Sequence, residues 1–382
     1  MRVEEVIVRR LKIPFSINVK HHLHSRNETE SIILDIRGHD ENVGLGEGTP
    51  REYVTGETLD GCLRAAVVLA RQVVGRRFDS FDALLAQLGT LGHREEALRN
   101  PAAFCAVETA LLDLWTRSAQ LTLYRAFTGN RETGSLLYSG IIPFVRREEA
   151  LLQYIELMKR LNPTSLKVKV VDTESGIAQL KLIRSKLGRD IDIRVDANCA
   201  FSTRGAVSFL RQARSINLSA IEQPTAKDDL AGLKTVSTFS DIPVVADESM
   251  YTQKGTHYLI ENHVCHGLNI RLSSCGGFTK ALQIYKAARS KQMLVVLGAH
   301  VGETAIVSFA GRHLAMMCPE AKYREGSFST YVLKEDLVSE DISPGPGGTV
   351  PVPSAAGLGI DVDPSMIDRW SIPYAVLNES LN

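Results

Sequence analysis

Between about residues 165 and 300 the chain repeats one pattern: a short aliphatic, β-branched run, a polar or Gly/Pro turn, then an amphipathic stretch with helical spacing. The runs Ser165–Val170, Asp192–Asn198, Ala220–Pro224, Pro243–Glu248, Gly267–Leu272 and Met293–Ala299 predict strands, and Glu174–Leu187 and Phe278–Lys291 predict helices between them. A repeat of about 25 residues suits βα units of a parallel sheet. An open doubly wound sheet would share the alternation, but it usually carries a Gly-rich phosphate turn after an early strand, and the sequence has none. Further strands near Leu136–Ile142 and Lys322–Ser327 bring the total to about eight, the number a (β/α)8 barrel requires.

Residues 1–130 read differently: strands over Arg2–Lys12 and Glu30–Arg37, a Gly-rich turn Gly44-Leu-Gly-Glu-Gly, then helices through Trp115. This pattern predicts an α+β domain. In the tail, from about residue 350 to 382, Ala356-Gly-Leu-Gly follows Pro344-Gly-Pro-Gly-Gly as a second turn, and a last strand-like segment is expected to return to the first domain. The reading is therefore an α/β chain, a modified TIM (β/α)7-8 barrel over 131–349 beside an α+β domain.

Charge changes little, because 44 basic side chains balance 44 acidic ones. No bulk attraction to nucleic acid or an anionic membrane is expected. The first residues lack the apolar run of a signal peptide, and no 18 uncharged apolar residues follow one another, so a cytoplasmic location is the default. The six cysteines show neither CxxC nor Cys/His metal spacing and read as reduced, buried thiols.

Candidate chemistry begins in Ser165-Leu-Lys-Val-Lys-Val-Val, where alternation puts Leu166, Val168 and Val170 on one strand face and Lys167 and Lys169 on the other. On a barrel strand the apolar face meets the outer helices, so both ammonium groups point to the axis and the C-terminal mouth, where such barrels hold their sites. On an edge strand they would simply face water. The next three strands end in acids: Asp196 in Val195-Asp-Ala-Asn, Glu222 in Ile221-Glu-Gln-Pro and Asp247 in Ala246-Asp-Glu-Ser. One such Asp alone reads as the N-cap of a following helix. Three at matching positions read as carboxylates around a cation, and an all-oxygen set suits Mg2+, with Mn2+ as a substitute. A divalent ion can bind a substrate carboxylate and stabilise the enediolate formed when the neighbouring C–H loses its proton, and a lysine can be the base.

These pieces resemble a known family. Gly44-Leu-Gly-Glu-Gly-Thr-Pro, Ala106-Val-Glu-Thr-Ala-Leu-Leu-Asp-Leu-Trp, Leu166-Lys-Val-Lys, Arg194-Val-Asp-Ala-Asn, Ile221-Glu-Gln-Pro, Ala246-Asp-Glu-Ser and Ala356-Gly-Leu-Gly-Ile-Asp occur in the order found in the muconate-lactonizing (muconate cycloisomerase) subgroup of the enolase superfamily. That mandelate racemase/muconate lactonizing enzyme family also holds dipeptide epimerases, N-succinylamino acid racemases and o-succinylbenzoate synthases. The resemblance implies Lys169 as base, Lys167 as its electrostatic partner and Asp196, Glu222 and Asp247 as metal ligands. Asn198, Glu248, Glu303 and Glu325 would stand behind them. Residues 1–130 and the tail would form a capping domain whose loops, around Asn18–Glu28 and Arg51–Thr55, close over a small carboxylate substrate. His24, Arg26, Tyr53, Tyr138, Ser139 and Ile141 are the substrate-binding positions it suggests. A homo-oligomer is expected, since relatives are commonly dimers or octamers.

One departure bears on the reaction. The family's sixth strand presents a second lysine five residues before a Gly-Gly pair, and Leu268-Asn-Ile-Arg-Leu-Ser-Ser-Cys-Gly-Gly puts Arg271 there. A guanidinium stays protonated, so it clamps or stabilises negative charge but does not shuttle protons. The leading expectation is therefore a one-base lyase or cycloisomerase with Arg271 as electrostatic group. A racemase or epimerase using Lys169 and His300, which ends the predicted seventh strand, is the alternative. A non-catalytic barrel that binds a small acid is the third reading.

Overall fold

The computed structural model describes residues 1–20, 25–129 and 134–379. Its strands are β1 (Val3–Lys20), β2 (Ser25–Gly38), β3 (Val43–Gly48), β4 (Ser135–Leu137), β5 (Gly140–Ile142), β6 (Ser165–Lys169), β7 (Asp192–Asp196), β8 (Leu218–Glu222), β9 (Val244–Ala246), β10 (Gly267–Arg271), β11 (Leu294–Gly298), β12 (Tyr323–Arg324), β13 (Thr349–Pro351) and β14 (Ser371–Asn378). Strands β5 to β12 form an eight-stranded sheet in chain order, every neighbouring pair parallel. That order results when each strand returns beside the last through a right-handed helical crossover. The two ends of the curled sheet meet where the Ser139 amide donates to the Arg324 carbonyl at 2.8 Å.

Beside the barrel lies an antiparallel cap sheet of order β14-β1-β2-β3, in which the end of the chain pairs with its beginning, Leu11 opposite Ser371 and Glu5 opposite Asn378. The helix Pro101–Ser118 packs on it with Ala103, Val107, Ala110, Leu111 and Leu114 buried. Inside the barrel Ala220, Val245, Val296 and Tyr323 make an apolar plug. Arg194 lies over the Tyr323 ring, 4.5 Å from its centroid, and marks the step from this plug to the charged layer above. No helix among the described residues is long and apolar enough to cross a membrane.

Several elements differ from their sequence-based expectation. Gly44–Gly48 is not a turn but most of strand β3, paired in register with Ile32–Ile36. The stretch near Leu136–Ile142 is two strands: β4 pairs antiparallel with β13, and only β5 enters the barrel. Near Lys322–Ser327 the strand is confined to Tyr323–Arg324, because Gly326 and Ser327 take positive φ (131° and 59°) and end the extended run. The first two strands run longer than periodicity suggests, to Lys20 and from Ser25.

Candidate active site

Alternation on β6 buries Leu166, Val168 and Val170 completely or nearly so on the helix side and turns both lysines into the barrel. Register then brings the acids alongside: Lys169 is level with Asp196, and Asp196 with Glu222. Asp247 follows directly on β9.

The two lysines have different surroundings. Lys167 is 3% exposed, and its Nζ lies 2.6 Å from Glu325, 3.3 Å from Glu222 and 3.5 Å from Asp196. Burial works against its charge, but Glu222, Glu325 and Asp196 more than offset it and hold its pKa above the ordinary lysine value. Lys169, whose side chain is 22% exposed, donates to Asn198 Oδ1 at 2.7 Å and stands 3.6 Å from Asp196. Burial opposes ionisation of Asp196, yet Lys169, Lys167 and Arg271 keep its carboxyl well below the usual range. Arg271 is ion-paired with Asp247. Glu325, held by Lys167 and Arg194, has a lowered pKa in spite of burial.

Among the described residues no three Asp, Glu, His or Cys side chains are arranged to hold a metal ion as they stand. Arg271 turns Asp247 toward itself, and Lys167 lies against both Asp196 and Glu222. The donor chemistry nevertheless fits a hard cation. Asp196 Oδ2, Glu222 Oε2 and Asp247 Oδ1 are each buried and accept no hydrogen bond, one oxygen on each of the three acids, although Asp196 Oδ2 has the Lys167 and Lys169 ammonium groups at 3.5 and 3.6 Å. Buried carboxylate oxygens left in that state are costly, and a divalent cation with oxygen preference relieves them.

Of the supporting residues, Asn198 bridges from Lys169 to Glu248, whose Oε1 accepts from Nδ2 at 3.2 Å, while its own amide donates to Asp196 at 3.0 Å. Burial, with the nearby charge of Asp196, pushes Glu248 up to about 7. His300 is held at both ring nitrogens, Nδ1 by Thr49 Oγ1 at 2.9 Å and Nε2 by Ser274 Oγ at 3.0 Å. Glu303 accepts the His300 amide at 2.7 Å, and burial pushes its carboxyl up to about 8.

The suggested substrate positions separate. Ile141 stands level with Lys167 on the neighbouring strand. Ser139 is engaged by Ser165 and Arg194 at 2.8 and 3.0 Å inside the barrel, and Tyr138 is buried. Arg26 and Tyr53 line a cap cavity of about 350 Å3 with Arg51 and Glu30. His24 lies outside the described residues. Sequence reasoning passed over Asn269, whose Nδ2 donates to Glu222 at 2.9 Å, and Gln223, whose Oε1 accepts from the Asp247 and Ser249 amides at 2.9 and 3.1 Å. Period-two spacing from Arg271 was the signal for the first; for the second it was its place in Ile221-Glu-Gln-Pro.

A curled parallel barrel with this charged mouth, under an α+β cap, defines a class: isomerases and lyases built on the enolase-type barrel. The family described as enolase C-terminal domain-like matches residues 151–366, and this chain belongs to it and thereby to the enolase superfamily. The hydrophobic dipeptide epimerase of Enterococcus faecalis is 29% identical over 363 residues, covering 94% of this chain and 99% of its own. A crystal structure of dipeptide epimerase from that organism, complexed with Mg and the dipeptide L-Leu-L-Tyr, superposes with a TM-score of 0.85 at 28% identity, covering 94% of this chain and all (100%) of that one. L-Ala-D/L-Glu epimerase of Bacillus subtilis is 29% identical over 367 residues, 94% of this chain and 97% of its own. Muconate lactonizing enzyme of Pseudomonas fluorescens reaches a TM-score of 0.86 over 97% of this chain and 99% of that one, but at 20% identity that likeness speaks for the fold alone. These relatives favour the racemase or epimerase alternative over the cycloisomerase reading that leads in the sequence.

Proposed function

We propose that this protein epimerises or racemises a dipeptide or related N-acylamino acid by removing the proton alpha to its carboxylate. The observation that carries the reading is the contrast between the lysines. Lys167 is locked among three carboxylates, while Lys169 is partly exposed and held in place by Asn198. Lys169 takes the proton on one face. Asp196, Glu222 and Asp247 would hold Mg2+, which supplies positive charge to the substrate carboxylate as the C–H bond breaks. Lys167 sets its positive charge against Asp196 and Glu222 and holds them in place, and Arg271, fixed on Asp247, adds positive charge without exchanging a proton. The second face falls to His300. Strands β10 and β11 stand four and five places from β6 in the sheet, across the barrel from Lys169. Ser274 and His300 follow those two strands and are hydrogen-bonded to each other.

Solvent exchange in D2O tests this on hydrophobic dipeptides, acidic dipeptides and N-succinylamino acids. The wild type is expected to wash the α-proton out of both stereoisomers, Lys169→Ala to lose washout from one and His300→Asn from the other. Arg271 in the place of a second lysine favours the one-base lyase or cycloisomerase as the second reading, and washout from a single isomer of every substrate would establish that reading instead.

A further inference from the structure

Cap and barrel meet along the extended segment Glu47–Arg51, where alternation gives the two sides different partners. Gly46 and Gly48, like Gly44 before them, face the helix Pro101–Ser118 so closely that a Cβ on any of them would overlap the carbonyl of Ala106, Ala102 or Ala110. Glu47, Thr49 and Arg51 reach the loops that follow β10 and β11. Glu47 Oε2 accepts from the Thr304 hydroxyl at 2.6 Å and from the Thr304 and Val307 amides at 3.2 and 3.3 Å, at the N-terminus of the helix Ala305–Met317. The Thr49 amide donates to Ser273 Oγ at 2.8 Å, and its hydroxyl bonds His300 Nδ1 at 2.9 Å. Arg51 donates to the Val301 carbonyl at 3.3 Å. From β2, Thr29 donates to the Gly302 carbonyl at 2.6 Å. Residues 300, 301, 302 and 304 are thus all held by the cap, whereas the parallel ladder of β11 stops at Gly298.

We infer that Thr49 and Glu47 are positioning residues for the proton transfer on the His300 face: Thr49 sets the orientation of the imidazole, and Glu47 fixes the loop that carries it. The inference rests on the role given to His300 above. A hydroxyl can donate to or accept from a ring nitrogen, so Thr49 and Ser274, one on each nitrogen, hold the imidazole against rotation whichever nitrogen carries the proton. Glu47 anchors the far end of the same loop, since its carboxylate meets several amide donors and the positive end of a helix.

The test is face-specific exchange in Thr49→Val, which keeps the shape and removes the hydroxyl. Washout on the His300 face is expected to slow about 10- to 100-fold, the scale of a displacement near 1 Å, while the Lys169 face stays within about threefold. Thr49→Ser should restore it, and Glu47→Gln should slow the same face. In parallel, 15N signals of the His300 ring, assigned by their loss in His300→Asn, should move in Thr49→Val. Equal slowing of both faces, or unmoved His300 signals, overturns the inference. Should Thr49→Val not fold, Thr49→Ala is read by the same criteria. Moved signals in a protein whose wild type turns over none of the substrates would uphold the positioning and sink the proposed reaction.

Discussion

At the scale of single residues the two lysines of β6 make opposite predictions. Replacing Lys167 by Met would leave Glu325, Glu222 and Asp196 buried together without their shared cation. Removing one partner of a buried ionic cluster costs about 3–5 kcal/mol, and chemical denaturation is expected to show a loss of that size. Lys169→Met removes a side chain that is 22% exposed and leaves Lys167 3.5 Å from the same Asp196 oxygen, so its stability loss is expected to be smaller than that of Lys167→Met. The same variant should lose more than about a thousandfold in α-proton exchange if Lys169 is the base. Comparable stability losses in the two variants would refute the distinction drawn between them.

Among the elements, β3 shows how composition acts through packing. Its glycines recur at every second position because the strand lies against the helix Pro101–Ser118 at backbone distance, and the partners Ala102, Ala106 and Ala110 recur at every fourth. Side chains at 44, 46 or 48 would push the sheet off that helix. Gly46→Ala meets backbone rather than a movable side chain, so a loss of about 3 kcal/mol is expected from the overpacking. Gly89→Ala, in the helix Phe81–Gly92 with open space around it, is the control and should be neutral or slightly stabilising. A small loss at Gly46 would mean that the strand and helix can separate without penalty.

For the whole molecule, buried carboxylates join the parts. Glu47 receives the Ala305–Met317 helix, Glu108 accepts from the Thr279 amide and hydroxyl in the Phe278–Ser290 helix, and Glu57 accepts the Ala102 amide of the cap helix. Burial pushes each of them up to about 7. A carboxyl that binds its proton more tightly in the folded than in the unfolded chain favours folding below the unfolded pKa, and that contribution is lost as pH rises through the folded value. His313 acts in the opposite sense, because burial lowers it to about 4, but its contribution is complete once pH exceeds the ordinary histidine range. Thermal stability is therefore expected to fall from about pH 6.5 to 8, with a shallower slope in Glu108→Gln. A midpoint that rises across this interval would contradict the raised values.

Local pattern was enough for some of this protein and not for the rest. Period-two alternation and strand-end position are properties of a few consecutive residues, so the lysine pair, the three acids and the barrel that carries them can be read from the chain directly. Asn269 shares that legibility, two residues from Arg271 on the same strand face. Other features depend on partners far away in the chain. Gly44–Gly48 reads as a turn until a helix more than fifty residues on is laid against it. His300 reads as a lone strand-end histidine until Thr49 and Ser274 close on its two nitrogens, and Arg271 as a replaced lysine until it is found on Asp247. Strand pairing and hydrogen-bond partnership across hundreds of residues are set by how the layers pack, and that information resides in the three-dimensional arrangement rather than in any local run of side chains.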